Sequence, residues 1–302
     1  MTSVHVLPCG TSILRNLRAG VPGCRMTPVQ VDEMQRWASD ELIRDQPASQ
    51  WRQTFARDVG PHLRLLQAAQ DPVRLSAETA SLTRYATRVG DGLQPQDLVV
   101  LLASDTAEGM LAALLVAASL NRGVEEHPAP ARDAAAHGEL LTAGQPGRAP
   151  VHVVRIPKLL PDSTTNFTAA MTDLAGAMLW AGRRRRRPEQ RLVVHLSGGY
   201  KATLPYLLVM CEYLKALQPP VEAFCLHEGD PGSPVLPDLV EIFLRSVDLD
   251  ADLALLNEAA QGNIPNDPRL GGFAYREVRG RAVLTGVGHV LTAFQVFLGN
   301  GP

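Results

Sequence analysis

The segment from Arg191 to Leu217 constrains the fold of this chain most strongly. It begins with an apolar, β-branched stretch, which is typical of a strand covered on both faces. Gly198 and Gly199 then allow the backbone to turn sharply, and the residues that follow have helical spacing. The segment therefore predicts a buried strand, a glycine turn and a helix, which is the repeating unit of a parallel α/β sheet.

The turn after this strand has the features of an anion-binding site. The helix N-terminus directs unpaired N–H groups and a partial positive charge over the end of the strand. Lys201 lies in the predicted first turn of that helix and adds a full positive charge. Phosphate is the usual ligand of such a site. The spacing Ser197-x-x-x-Lys201 matches neither a Walker P-loop nor the Ser-x-x-Lys motif of β-lactamases.

Two other predicted strands also end in polar turns. Ser3–Leu7 leads into Gly10-Thr11-Ser12, and Asp97–Ala103 leads into Ser104-Asp105-Thr106. A further strand, Val221–His227, follows the central helix. Strands that alternate with helices predict a doubly wound, mostly parallel sheet, in which ligands bind outside the carboxyl ends of the strands. We therefore expect the three turns to converge on one site.

Several segments lie outside this pattern. Between about residues 27 and 92 the chain has three predicted helices, Pro28–Arg44, Ala48–Gln70 and Ala77–Val89, and Pro128–Pro150 has the composition of a mobile loop. The middle helix contains Arg57 and His62, a spacing used by some ribonucleases. Gly60-Pro61 is expected to break the helix between those two residues.

The C-terminal residues 246–302 are predicted to form a separate small unit. It has a helix over Asp252–Gln261, a hairpin with Arg279-Gly280-Arg281 at its tip, and a closing helix over Thr285–Phe297. This order is similar to part of a winged helix. DNA binding by the unit is one interpretation, and a packing or dimer-forming role is the other.

Composition excludes several classes of protein. A formal net charge of −2 excludes a chain that coats nucleic acid through bulk charge. The 8 histidines and 4 cysteines show no metal-ligand spacing, so no metal site and no cofactor are predicted. The N-terminus lacks the features of a secretory signal, and no apolar run approaches the ~18 residues of a membrane span. We expect a soluble cytoplasmic protein without membrane contact.

The three strand-end segments together resemble a known family. Cys9–Asn16, Ala103–Glu108 and His195–Ala202 are similar to the corresponding segments of CARF domains, the CRISPR-associated Rossmann fold that senses cyclic oligoadenylates. The closest resemblance is to the small CARF proteins that include ring nucleases. The resemblance covers residues 1–245, with the helices at about 27–92 as an insertion.

The resemblance implies a role for each matching residue. Thr11 and Ser12 would contact the ligand backbone, with Ser12 at the scissile phosphate, and Lys201 would neutralise charge that develops there. Ser197, Gly198 and Gly199 would form the floor of the site. The remaining predicted ligand-binding residues are Gly10, Asn16, Ser104, Asp105, Thr106, Tyr200 and His227. The family often has asparagine where this chain has His195, which puts substrate preference in doubt.

The resemblance also implies partners and a reaction. The ligand would be a cyclic oligoadenylate, with the cyclic tetra-adenylate favoured, and the protein would be a homodimer. It would cleave the ring without a metal and so switch off type III CRISPR signalling. Two alternatives stay open at this point. One is a non-cleaving sensor or transcriptional regulator that acts through the C-terminal unit, and the other is a ribonuclease that uses Arg57 and His62.

Overall fold

The computed structural model describes residues 2–43, 46, 48–67, 71–127, 138–160, 164–185, 187–227 and 237–299. The strands within them are β1 Ser3–Pro8, β2 Leu98–Ala103, β3 Val124–His127, β4 Glu139–Thr142, β5 Val151–Arg155, β6 Arg191–His195, β7 Val221–His227, β8 Asp238–Ile242, β9 Tyr275–Val278 and β10 Arg281–Leu284. The helices are α1 Ser12–Ala19, α2 Pro28–Glu41, α3 Ala48–Thr54, α4 Gly60–Gln67, α5 Ala77–Val89, α6 Ala107–Ser119, α7 Thr164–Arg183, α8 Leu204–Leu217, α9 Leu249–Ala260 and α10 Gly286–Gly299.

The first eight strands form one sheet in the order β4-β3-β5-β2-β1-β6-β7-β8. The pairs from β3 through β7 are parallel, and β4 and β8 are antiparallel strands at the two edges. The central strands are apolar on both sides because helices cover both faces. This confirms the predicted Rossmann-like α/β fold with a mostly parallel sheet.

Alternate residues of each strand supply two separate cores. Val99, Leu101 and Val153 point towards one face, where they pack with α1, α2, α3, α4 and α6. Val100 and Val154 point towards the other face, where they pack with α7 and α8. Side chains alternate between the two faces along each strand and return to the same side of a helix about every 3.6 residues. The apolar residues that follow these two repeats therefore form one core on each face of the sheet.

The helices that follow the strands change from one face of the sheet to the other at its centre. The chain leaves β1 into α1, which packs on the first face, and leaves β6 into α8, which packs on the second. Because β1 and β6 are adjacent, the switch point lies outside their carboxyl ends. In sheets of this kind, such a switch point is where ligands bind.

Two local predictions were wrong. The segment Pro128–Pro150, expected to be a loop, contains β4, which pairs with β3; residues 128–137 of it lie outside the described part of the chain. Gly60-Pro61 does not end the helix. A π turn over Phe55–Val59 precedes it, and the Gly60 N–H donates to the Phe55 carbonyl five residues back. This wider turn shifts the hydrogen-bonding pattern where Pro61 lacks a donor.

The proposed ribonuclease pair lies on this helix, and each side chain has its own acidic neighbour. Arg57 pairs with Asp58 at 2.6 Å, and the guanidinium is largely exposed. His62 Nε2 lies 4.0 Å from a carboxylate oxygen of Glu33. These contacts account for both residues as polar side chains of the helical layer.

The C-terminal segment packs on α7 and α8. Leu256 of α9 and Phe294 of α10 belong to the same apolar core as these helices. Tyr213 of α8 donates to Asp252 at 2.8 Å. The predicted hairpin is present as β9 and β10, with left-handed backbone at Arg279 and Gly280, as a two-residue hairpin turn requires. The boundary at residue 245 stays a prediction.

No helix within the described residues has the length and apolar character needed to cross a bilayer.

Candidate functional site

The turns after β1 and β6 contact each other at the switch point. A β-carbon added to Gly10 would lie 3.1 Å from the backbone nitrogen of Gly199. One added to Gly198 would lie 2.5 Å from the Pro8 carbonyl oxygen. Gly199 has φ of +81°, which glycine adopts without strain. Glycines are therefore required here because two backbones approach each other and one turns through a left-handed conformation.

Glu78 packs against both turns from one side. Sequence reasoning did not identify this residue. Its buried carboxylate accepts from the Gly10 N–H at 2.8 Å and from the Ser12 hydroxyl at 3.5 Å. Burial raises the pKa of Glu78, while the Gly10 N–H opposes that shift. An acidic residue in the first turn of a helix is ordinarily explained by the helix dipole, so its position in the sequence gave no separate signal.

The two hydroxyls after β1 differ in their surroundings. Thr11 occupies the N-cap position of α1, its side chain does not cap the helix, and it is exposed. The Ser12 hydroxyl accepts from the Ala77 N–H at 3.4 Å and faces Glu78. Asn16 donates from its amide to the carbonyls of Arg74 and Leu75, so it joins α1 to the segment before α5. Thr11 is thus the more exposed of the two hydroxyls.

The turn after β2 is held mainly by internal hydrogen bonds. Thr106 caps α6 by accepting from the Gly109 N–H at 2.9 Å, and the Ser104 hydroxyl lies 3.1 Å from the Thr106 hydroxyl. Asp105 is buried and accepts from Arg155 Nε at 2.9 Å and from the Lys158 N–H at 2.8 Å. Asp105 therefore fixes the end of β2 to the end of β5.

The polar residues in and near the turn after β6 have different surroundings. Ser197 accepts from the Leu226 N–H at 2.8 Å and so ties the turn to β7. Lys201 is exposed at the start of a short 3₁₀ turn, Lys201–Thr203, that leads into α8. Tyr200 is 36% exposed and packs edge-on against Phe167. His227 is exposed at the end of β7, one strand further along the edge.

A second lysine lies at this edge and was not predicted. Lys158 follows β5, is exposed, and has a left-handed backbone with φ of +62°. The Asp105 carboxylate that accepts from its backbone N–H holds that conformation. In the sequence, the isoleucine and proline before Lys158 indicate the end of a strand, but they form no functional motif. The sequence alone therefore offered no signal for Lys158.

A buried chain of hydrogen bonds joins β1, β6 and α5. Both ring nitrogens of His195 form hydrogen bonds. Nδ1 lies 2.7 Å from the Ser81 hydroxyl, and Nε2 lies 3.1 Å from Nδ1 of His5. His5 Nε2 in turn lies 3.9 Å from Asp97, with Tyr85 packed against both rings. Burial lowers the pKa of His5 to about 3, with Arg122 adding to the shift, and burial followed by the charge of His5 lowers that of His195. His195 is thus a core residue with its hydrogen bonds satisfied.

Replacement of His195 by asparagine is expected to reduce the acid sensitivity of the fold. Because the folded-state pKa lies below the ordinary value of 6.5, the unfolded chain binds the extra proton, and stability falls as pH drops below 6.5. Over the 1.5 pH units down to pH 5.0 the wild type should lose up to about 2 kcal/mol more of its folding free energy than the variant. Denaturant unfolding at pH 7.5 and 5.0 measures the difference. The same replacement at exposed His289 is the control, and equal pH dependence in wild type and His195→Asn would contradict the assignment.

Comparison with known proteins places the chain in a family. No curated protein matches it. The family model described as CRISPR-associated protein (Cas_APE2256) matches residues 73–228, which is just over half of the chain. The match begins ahead of Glu78 and ends with β7, so it includes the turns after β2 and β6. The chain belongs to this CRISPR-associated family.

Proposed function

We propose that the protein binds a cyclic oligoadenylate in the crevice between β1 and β6 and opens the ring. The observation that carries the proposal is the direct contact between the Gly10 turn and the Gly198-Gly199 turn at the switch point. Thr11 follows the first of these turns and Lys201 follows the second, and both side chains are exposed. Membership of a CRISPR-associated family supports a substrate from CRISPR signalling.

The electrostatics of the crevice favour a ring of phosphates. The N-termini of α1 and of the 3₁₀ turn before α8 both face the carboxyl edge, where backbone N–H groups bind anions. Lys201 and Lys158 add two exposed positive charges along that edge. Glu78 is the acidic residue buried next to the turns, and burial raises its pKa.

The reaction we propose uses a nucleophile supplied by the ligand. A ribose 2′-oxygen bonds to the adjacent phosphorus in line, and the bond from phosphorus to the 5′-oxygen breaks. The 2′-hydroxyl proton leaves to solvent, and the departing 5′-oxygen takes up a proton. The products are a 2′,3′-cyclic phosphate and a 5′-hydroxyl. Lys201 stabilises the extra negative charge on phosphorus oxygens, and the turns hold the in-line geometry.

A homodimer would complete the site. Cyclic tetra-adenylate has two-fold symmetry, and a two-fold dimer offers each pocket residue twice around one axis. In a single chain Lys201 and Tyr200 are exposed to solvent. A second copy across the axis would cover them and lower the local dielectric constant, which strengthens each electrostatic contact.

Incubation of the full-length protein with cyclic tetra-adenylate in the presence of a chelator tests the proposal. We expect a linear tetra-adenylate that ends in a 2′,3′-cyclic phosphate, identified by liquid chromatography and mass spectrometry. Sedimentation with and without ligand measures the dimer. An intact ring after hours of incubation with bound ligand would leave only the sensing function, and failure to bind cyclic tetra- or hexa-adenylate would overturn the site itself.

One observation favours a sensor as the second candidate. α8 begins beside Lys201, and its Tyr213 donates to Asp252 of α9, in the C-terminal segment, at 2.8 Å. Movement of the turn after β6 on ligand binding would therefore reach the C-terminal segment through one helix. Ligand-dependent binding of DNA, with no ring opening, is the result that would favour this function.

A further inference from the structure

Two histidines and a glutamate share one face of the sheet near its β4 edge, away from the switch point. Glu125 and His127 alternate on β3, so both side chains lie on the same side. His152 lies directly opposite Glu125 in the parallel register of β3 with β5. The sequence separation of 25 residues between His127 and His152 hides this cluster from any motif search.

The three side chains direct their ligand atoms at one point. His127 Nε2 lies 3.6 Å from one Glu125 oxygen, and His152 Nδ1 lies 3.8 Å from the other. The same two ring nitrogens contact each other. A tetrahedral zinc ion with bonds of about 2.0–2.1 Å needs ligand atoms separated by roughly 3.3 Å. The two separations between imidazole nitrogen and carboxylate oxygen are therefore close to the spacing that a bound ion imposes, and the two ring nitrogens would move apart to share it.

The surroundings of the cluster hold it in place. His127 is fully buried and His152 is 6% exposed. Trp180 of α7 packs on both imidazole rings, with centroids 4.6 and 5.8 Å away. The Gly138 N–H donates to Glu125 at 3.1 Å and orients the carboxylate. Partners of this kind fix ligand geometry at metal sites.

We propose that Glu125, His127 and His152 bind one divalent zinc-class ion with a fourth coordination position left for an exogenous ligand. His152 also lines a cavity of about 640 Å³ at the amino edge of the sheet, together with Arg148, Arg184 and Arg187. This cavity borders one of the three ligands, and its arginines favour an anion or hydroxide as the fourth ligand. The ion would join the β3–β4 hairpin to β5.

This site is separate from the proposed oligoadenylate crevice. The cavity that it borders is lined by Ser3 and Leu98, the first residues of β1 and β2, whereas the crevice lies beyond their last residues. Ring opening as proposed needs no metal. Removal of zinc should therefore lower thermal stability while leaving the chemistry of the crevice intact.

Zinc titration of the full-length, chelator-treated protein against a chromophoric zinc indicator tests the proposal. We expect one zinc per chain, a higher melting temperature with zinc, and visible absorption of a low-coordinate site when cobalt replaces zinc. Glu125→Gln keeps an acceptor for the Gly138 N–H and is expected to lower zinc affinity at least about tenfold, as His152→Ala should. His289→Ala, at an exposed histidine of α10, is the matched control.

Two results would overturn the proposal. Wild-type protein that binds well below one equivalent of zinc overturns the proposal, whatever the variants do. Stoichiometric binding that is equally strong in Glu125→Gln places the ion elsewhere and also overturns it. If His152→Ala does not fold, Glu125→Gln and the cobalt spectrum of the wild type still give the answer.

Discussion

Replacement of Lys201 by alanine is expected to slow ring opening of cyclic tetra-adenylate by about two to three orders of magnitude. The ammonium group sits at the start of the turn into α8, where the helix N-terminus already supplies positive potential. Its interaction strengthens as negative charge grows on the phosphate, so it lowers the barrier more than it tightens binding. The affinity for the intact ring should change by less than about tenfold, since backbone N–H groups still hold the phosphates.

Single-turnover rates and ligand titrations on the same preparations measure the two effects separately. Lys215→Ala removes the same charge from the other end of α8, where the ammonium donates to the Leu244 carbonyl, and serves as the matched control. Lys201→Arg retains charge with a different shape and should recover part of the rate. Unchanged ring opening in Lys201→Ala would show that the role assigned to this lysine is wrong, although the fold would stand.

A methyl group at position 198 is expected to separate the two turns and abolish the crevice. The β-carbon of Gly198→Ala would overlap a Glu78 carboxylate oxygen and lie 2.5 Å from the Pro8 carbonyl oxygen. A side chain can move aside, but the Pro8 carbonyl belongs to the backbone at the end of β1. Overpacking of this kind costs about 1–3 kcal/mol or more of folding free energy. Ligand binding should fall with it, because the Gly10 N–H loses its fixed position.

Denaturant unfolding of Gly198→Ala, together with ligand titration, measures both losses. Gly182→Ala is the matched control, since its β-carbon would meet the side chains of Leu214, Gln218 and Leu192 no closer than 3.5 Å within the helical backbone of α7. That substitution should be neutral or stabilise the protein by up to about 1 kcal/mol. Equal stability of Gly198→Ala and wild type would mean that the turns do not pack as described.

The predictable parts of the fold are those in which a short run of sequence directly reflects how the segment is packed or how it ends. β2 and β6 are continuous apolar runs because both faces of the sheet are covered, and α5 has a serine cap and a glycine end. β4 was missed because four residues with one buried side chain carry almost no pattern. The π turn before Pro61 was missed because hydrogen bonds five residues apart have no sequence signature.

The same distinction applies to the candidate sites. Gly10, Gly198 and Gly199 could be found from the sequence because glycine directly after a predicted strand indicates a tight turn or a close backbone approach. Glu78, by contrast, reaches the turns only through the long connection between β1 and β2. Glu125, His127 and His152 meet through strand register, and register depends on the whole sheet. Residues brought together by pairing of distant strands are beyond single-sequence reasoning.

The shared core of α9 and α10 with α7 and α8 determines how this protein can be dissected. Leu256, Leu291 and Phe294 are no more than 1% exposed. A fragment truncated at residue 245 would therefore leave the apolar sides of α7 and α8 in water and would be prone to aggregation. Its inactivity would report lost solubility rather than lost signalling. Substitution of the exposed Arg279 at the hairpin tip, in the intact chain, is the informative way to ask what the C-terminal segment contacts.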